Sequence, residues 1–182
     1  YQLWTYDTNS GQASAVAVRL PVNSTLEQSQ NFKAAGNITD FDVAPDGKKL
    51  AFVARGELFV SDIEGKFVRQ IPTADRERVR EVYWMADSKR LIFSRTAQGY
   101  TNWFVTNADG SGTSRQLTQD DQNNRLLAFN SDRSRGVYLS GREEVRLLNM
   151  ESLESSLLAR EELWGFYNDQ PHFAPDDQHV VF

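Results

Sequence analysis

The 182-residue sequence predicts an all-β fold assembled from repeated four-stranded antiparallel units. Three observations lead there. First, a turn-forming segment recurs as Ala44-Pro45-Asp46-Gly47, Met85-Ala86-Asp87-Ser88, Asn130-Ser131-Asp132-Arg133 and Ala174-Pro175-Asp176-Asp177, so that its aspartates, at 46, 87, 132 and 176, fall 41, 45 and 44 residues apart. Second, apolar residues hold fixed offsets from each aspartate. Val43, Trp84, Phe129 and Phe173 stand three before it, and Phe52, Phe93, Tyr138 and Phe182 stand six after. Leu50, Leu91, Gly136 and Val180 stand four after, which gives that side the period of two that belongs to strands. Third, between these landmarks lie short β-prone runs closed by Asp or Asn: Leu3–Asp7, Leu58–Asp62, Trp103–Asn107 and Val145–Asn149. Asx side chains bond the backbone two residues on and so end such strands in a turn.

Each unit reads as four strands. In the second copy these are Val82–Met85, Arg90–Arg95, Asn102–Asn107 and the short Arg115–Leu117. The turn between the first two strands is set by Pro45, whose fixed φ suits its position, and by Gly47, which tolerates positive φ. Ser88, Arg133 and Asp177 replace that glycine and are expected to carry the strain of a left-handed conformation. Asp109-Gly110 marks the turn between strands three and four. Residues 9–37, rich in Ser, Asn and Gln, read as an extended connection. Met150, Leu153 and Leu157 lie at helical spacing, whereas the repeat register puts Leu157 and Leu158 on a fourth strand; the register favours the strand. Thr73–Glu81, with its alternating charges, reads as a loop with a short helix.

Four-stranded units of this length, none able to bury both faces alone, predict a β-propeller. A solenoid is the alternative, but its coils are usually shorter. The expected organisation is one propeller segment over 1–182: residues 1–37 end a preceding blade and add a long connection, 38–76, 78–121 and 124–163 are complete blades, and 167–182 start the next. Three complete blades plus two halves, about four in all, are expected to be an excerpt of a six- to eight-bladed propeller. The alternative is a four-bladed ring closed by the two halves. An excerpt leaves strand edges open to self-association.

Composition narrows the function. With 20 Lys and Arg against 25 Asp and Glu, a net charge of −5 gives no basic face for nucleic acid. No window approaches the ~18 apolar residues of a membrane span. The absence of cysteine excludes disulfides, thiolate metal sites and cysteine nucleophiles.

Candidate chemistry is sparse. His172 and His179 flank a turn and, with Asp176, are the residues to consider for a metal, but no ligand spacing recurs and ordinary surface histidines are expected. Serines have no Gly-x-Ser-x-Gly elbow around them. Asp40, Asp42 and Glu81, on or beside first strands, would face a central channel, as acid–base carboxylates for glycosides or, as expected, as a solvated acidic wall. Asp120-Asp121 lacks a calcium-loop pattern, and Gly110-Ser111-Gly112 reads as a hairpin turn. Trp84 and Trp103 are expected in blade packing, and Trp4 and Trp164 complete the set of rings available for stacking. Asn23-Ser24-Thr25 and Asn37-Ile38-Thr39 match short glycosylation sequons. No catalytic, cofactor or metal site is expected in the chain.

The units resemble the Pro-Asp-Gly propeller repeat of TolB envelope proteins, prolyl-oligopeptidase-class enzymes and tricorn-type serine peptidases. The run Ile38–Phe52 followed by Ala54-Arg55-Gly56-Glu57 looks most like the second propeller of tricorn-like peptidases, and Asp109-Gly110 through Arg115-Gln116-Leu117-Thr118 fits the same broad class. That resemblance implies a non-catalytic scaffold that gives peptides access to a serine-peptidase domain absent from this chain. Peptides or unfolded polypeptide, and the other domains of the parent protein, would be its partners. One alternative is a TolB-like protein-interaction propeller with no protease attached; another is a propeller enzyme acting on glycans through channel carboxylates. The same resemblance implies a periplasmic or otherwise exported protein, with archaeal tricorn as the cytoplasmic alternative.

Overall fold

The computed structural model describes residues 3–17, 33–74, 76–163 and 170–182. All regular elements among them are strands. The chain forms two compact units, Tyr1–Lys33 and Ala34–Phe182. In the first, β1 (Trp4–Asp7) pairs antiparallel with β2 (Gln12–Ala15), Trp4 opposite Ala15 and Asp7 opposite Gln12. The β-prone run Leu3–Asp7 holds a strand, as expected. The connection read over residues 9–37 is corrected, since Gln12–Ala15 is a strand. Its alternation rests on alanines alone, a weak strand signal; local polar bonds hold it, with Asp7 Oδ1 accepting from the Asn9 and Ser10 amides and the Thr5 and Ser14 hydroxyls 2.8 Å apart.

The second unit holds three four-stranded antiparallel sheets with strands in chain order. The first sheet is β3 (Ile38–Val43), β4 (Lys49–Ala54), β5 (Glu57–Asp62) and β6 (Val68–Ile71). The second is β7 (Val79–Trp84), β8 (Arg90–Ala97), β9 (Tyr100–Asn107) and β10 (Arg115–Gln116). The third is β11 (Asn124–Phe129), β12 (Arg135–Ser140), β13 (Glu144–Asn149) and β14 (Ser155–Arg160). A two-stranded sheet follows, β15 (His172–Phe173) with β16 (Val180–Val181). The expected four-stranded units are thus observed. Ser155–Arg160 is a strand, as the register requires, and the short helix read within Thr73–Glu81 is replaced by a turn at Arg76 and a strand that begins at Val79.

The aromatic residues six after each turn aspartate occupy matching places. Phe52 pairs with Phe59, Phe93 with Phe104, and Tyr138 with Arg146. The first two pairs stack, with ring centroids 5.3 and 5.7 Å apart. Period two then sends alternate side chains to opposite faces. Val82, Leu91, Phe93 and Phe104 pack on Ala51, Val53, Leu58 and Val60 of the first sheet. Ile92, Trp103 and Val105, from the other face, pack on Leu127, Tyr138 and Leu148 of the third. Val137, Leu139 and Val145 in turn meet Phe173 and Val180. Three apolar clusters therefore fill the successive gaps between sheets, with Trp84 and Trp103 fully buried. Gly136 holds the place of Leu50 and Leu91 because a Cβ there would lie 2.8 Å from Leu127 Cδ1.

Two turn types recur between paired strands. Arg55-Gly56 and Gln98-Gly99 form two-residue hairpins with φ of 57° and 87°, and of 53° and 91°, the double positive φ whose twist matches paired strands. In the Pro-Asp-Gly turn, the Gly47 amide donates to Ala44 O at 2.8 Å with φ 70°. Ser88, Arg133 and Asp177 repeat that geometry without glycine, at φ 53°, 57° and 55°.

Candidate functional site

The inner strands β3 and β7 carry the three carboxylates that the sequence marks as candidates. Each lies against the backbone of the following sheet. The Val82 amide donates to Asp40 Oδ2 at 2.7 Å, and the Trp84 amide to Asp42 Oδ2 at 2.7 Å. The Trp84 indole donates to Asp42 O at 3.1 Å. One unit later, Glu81 Oε2 accepts from the Leu126 amide at 2.9 Å and from the Tyr83 hydroxyl at 3.0 Å. In the next position Gln170 Nε2 donates to Leu127 O at 3.4 Å. Asp40, Glu81, Leu126 and Gln170 all stand six residues before a turn aspartate, so this is one repeated place.

The cause is elementary. A first strand pairs on one side only, and the amides on its other edge need acceptors. Polar side chains from the preceding sheet supply them at alternate residues. Leu126 receives this help in the left-handed conformation, φ 58°, beside a break in register between Arg125 and Ala128. Burial pushes the Asp40 and Glu81 carboxyls above their ordinary values, against the amide and hydroxyl bonds that favour the ionised form. Burial, with the nearby Glu81 charge, also pushes the Tyr83 hydroxyl up.

Residues that replace the turn glycine take part as well. Ser88 Oγ accepts from the Asp46 amide at 3.1 Å. Arg133 Nη1 donates to Asp42 Oδ2 at 2.8 Å and to Trp84 O at 2.6 Å, joining three successive sheets, while its guanidinium lies 5.2 Å from the Phe129 ring centroid. Asp177 accepts from the Ser131 amide and hydroxyl. In the sequence these positions show only the loss of the turn glycine. The readable signal was that one-unit spacing brings each turn beside its predecessor.

The other candidates separate. His179 Nδ1 meets Asp176 Oδ2 at 2.6 Å, and His172 Nδ1 lies 3.2 Å from Gln170 O. Backbone bonds from Gln178 and His179, together with the His179 side chain, push the Asp176 carboxyl down to about 2. Among the described residues, no group of three or more His, Asp or Glu is placed to hold a metal ion. Trp4 is exposed. Trp164 and the Asn23-Ser24-Thr25 sequon lie outside the described residues; Asn37 is exposed. Gly110-Ser111-Gly112 is a turn closed by the Ser111 amide on Asp109 Oδ1 at 2.8 Å. Asp120 belongs to a buried polar cluster on the second sheet: its amide donates to Asn102 Oδ1 at 2.9 Å, and Asn124 Nδ2 donates to its Oδ2 at 2.9 Å.

No protein-family profile matches the chain. A curated relative is the Tol-Pal system protein TolB of Wolinella succinogenes, 26% identical over 169 residues; the match covers 87% of this chain and spans 39% of that protein's length. Among solved structures, the tricorn protease superposes with a TM-score of 0.63 at 14% identity, covering 98% of this chain and 17% of its own. An oligogalacturonate lyase in complex with manganese superposes with a TM-score of 0.60 at 18% identity, covering 100% of this chain and 50% of its own. At these identities the structural likeness shows a shared fold: the chain has the architecture of a partial β-propeller similar to TolB and tricorn.

Proposed function

We propose that this chain is a non-catalytic, TolB-like propeller segment that binds extended polypeptide. One observation supports the reading above others: Asp40, Asp42 and Glu81 each accept backbone amides of the following sheet, so their lone pairs serve the architecture. A general base needs an oxygen within reach of a substrate proton, and one oxygen of each of these carboxylates is already engaged by the next sheet. Polypeptide recognition needs no such residue, since strand edges and polar clefts suffice. The TolB relative, which matches 87% of the chain, favours this reading over a protease scaffold. An exported setting goes with it, and no described helix is long and apolar enough to cross a membrane.

A second reading keeps the segment as the peptide-access module of a tricorn-like peptidase. It draws on the Ala54–Glu57 hairpin and on the superposition over 98% of the chain. The adjoining coding sequence separates the two, since a downstream peptidase domain belongs only to the second. Binding is tested by titrating the full chain into fluorescein-labelled, reduced and unfolded casein, followed by anisotropy and by mass spectrometry of the casein. Saturable binding with intact casein is expected. Cleavage that persists through purification, or the lack of any binding, overturns the reading. If a glycan-cleaving activity is found instead, Asp40→Asn and Asp42→Asn are expected to leave it unchanged.

A further inference from the structure

Where the β8–β9 hairpin meets the chain leaving β10, the second sheet carries a cleft of about 290 Å³. Its lining includes Gln98, Tyr100, Gln116, Gln119, Asp120 and Asp121, and no Lys or Arg. Asp120 is held from three directions: its amide and carbonyl both bond Asn102, and Oδ2 accepts from Asn124. Asn102 is 2% exposed and Asn124 is fully buried, so this carboxylate is oriented before any ligand arrives. Asp121 is exposed and enters no hydrogen bond or ion pair among the described residues. Tyr100 is 40% exposed.

The chemistry of this lining is one-sided. With no Lys or Arg in the lining, the two carboxylates make a negative field, tempered at Asp120 by the charge of Arg146 from the third sheet; amide oxygens add acceptors, and a tyrosine face attracts a planar cation. The donor that matches is a guanidinium, which has five N–H groups, no acceptor, and a plane that stacks. A second cleft makes the same point from within the chain. Gln70 and Gln116 hold equivalent register, opposite Phe59 and Phe104. The matching cleft of the first sheet, about 410 Å³, is lined by Glu57 and Gln70 and contains an arginine of its own, Arg76. The first cleft has an arginine in its lining, and the second has no cation there.

We propose that the cleft bounded by Tyr100, Gln116, Asp120 and Asp121 binds the side chain of an arginine. Its presentation by an extended partner rests on the polypeptide-binding reading. The test uses the full chain and N-acetyl-arginine-amide, followed by amide NMR, with N-acetyl-citrulline-amide as the neutral isostere. Shifts clustered around Tyr100, Gln116 and Asp121 are expected with arginine and not with citrulline. Asp121→Asn, which breaks no described bond, is expected to weaken binding about fivefold, the scale of one partly solvated charge pair. Equal response to citrulline overturns the site, as does indifference to Asp121→Asn. Chito-oligosaccharide binding there without an arginine response does so too. If casein binds while the arginine amide does not, the inference fails and the interaction reading stands. If the amide binds and casein does not, the site stands and the polypeptide reading fails.

Discussion

Glu81 shows how a charged side chain earns its place in a wall of sheets. Its Oε2 accepts from both the Leu126 amide and the Tyr83 hydroxyl. Removing the acceptor leaves these groups unmatched, so Glu81→Ala is expected to destabilise by ~1–3 kcal/mol. Glu81→Gln retains an acceptor oxygen and deletes the partly buried charge, so at pH 7 it is expected to be at least as stable as the parent. The pH sign follows from burial, which raises the folded-state carboxyl above its unfolded value. Stability from this group is complete below the unfolded pKa and is lost as pH rises through the folded one. Urea melts at pH 5 and pH 7 check this: the parent should lose more stability over that interval than Glu81→Gln. Asp176 runs the other way. With its carboxyl held down to about 2, its contribution is present above the unfolded pKa and is lost as pH falls toward 2.

At the scale of the element, the turns carry more than chain reversal. Ser88, Arg133 and Asp177 adopt the left-handed conformation that glycine adopts freely, a strain of about 1–2 kcal/mol each. Their side chains offset it by bonding a neighbouring unit. Ser88→Gly relieves strain and loses one exposed bond, so its stability should stay within about 0.5 kcal/mol of the parent. Arg133→Gly relieves similar strain but removes two bonds to Asp42 and Trp84, and should be destabilised by ~1–2 kcal/mol in urea unfolding. A more stable Arg133→Gly would show that the bridge is incidental.

The same elements explain what the sequence made legible. Pro45, Gly47 and the Phe52–Phe93–Tyr138 series carried the sheets because turn chemistry and period two are local properties. β2 carries little signal: Gln12-Ala13-Ser14-Ala15 alternates, but its apolar residues are only alanines and none is β-branched. The carboxylates were found and misplaced in role. Asp40 and Glu81 share the offset of six from a turn aspartate, but what they meet one unit later depends on how sheets stack, which no local pattern states. Asp120-Asp121 shows no ligand pattern in the sequence, because the walls of its cleft come from two separated stretches of chain.

For the whole Ala34–Phe182 unit, burial is graded. The second sheet is covered on both faces, and Trp84, Phe93 and Trp103 are fully buried within it. The first sheet packs one face on the second and exposes Phe41, Val43 and Val68. Amide exchange is therefore expected to be slowest in β8 and β9 and faster throughout β3. Equal protection of β3 and β8 would contradict this. Trp84→Ala, which empties the centre of the first interface and leaves Asp42 O without the indole donor, should cost ~3–5 kcal/mol.

The bonds from Asp40 to Val82 and from Asp42 to Trp84 also govern how such a chain can grow. Their spacing of two residues keys the first sheet to the second, so a one-residue deletion within β3 would present the wrong side chains to the next edge. Extra residues between β6 and β7 leave that key untouched. Glu81 makes the corresponding contact from the second sheet to Leu126 of the third. A lineage can therefore duplicate or discard modules whole, and vary the stretches between them freely, while the interior of each module resists trimming.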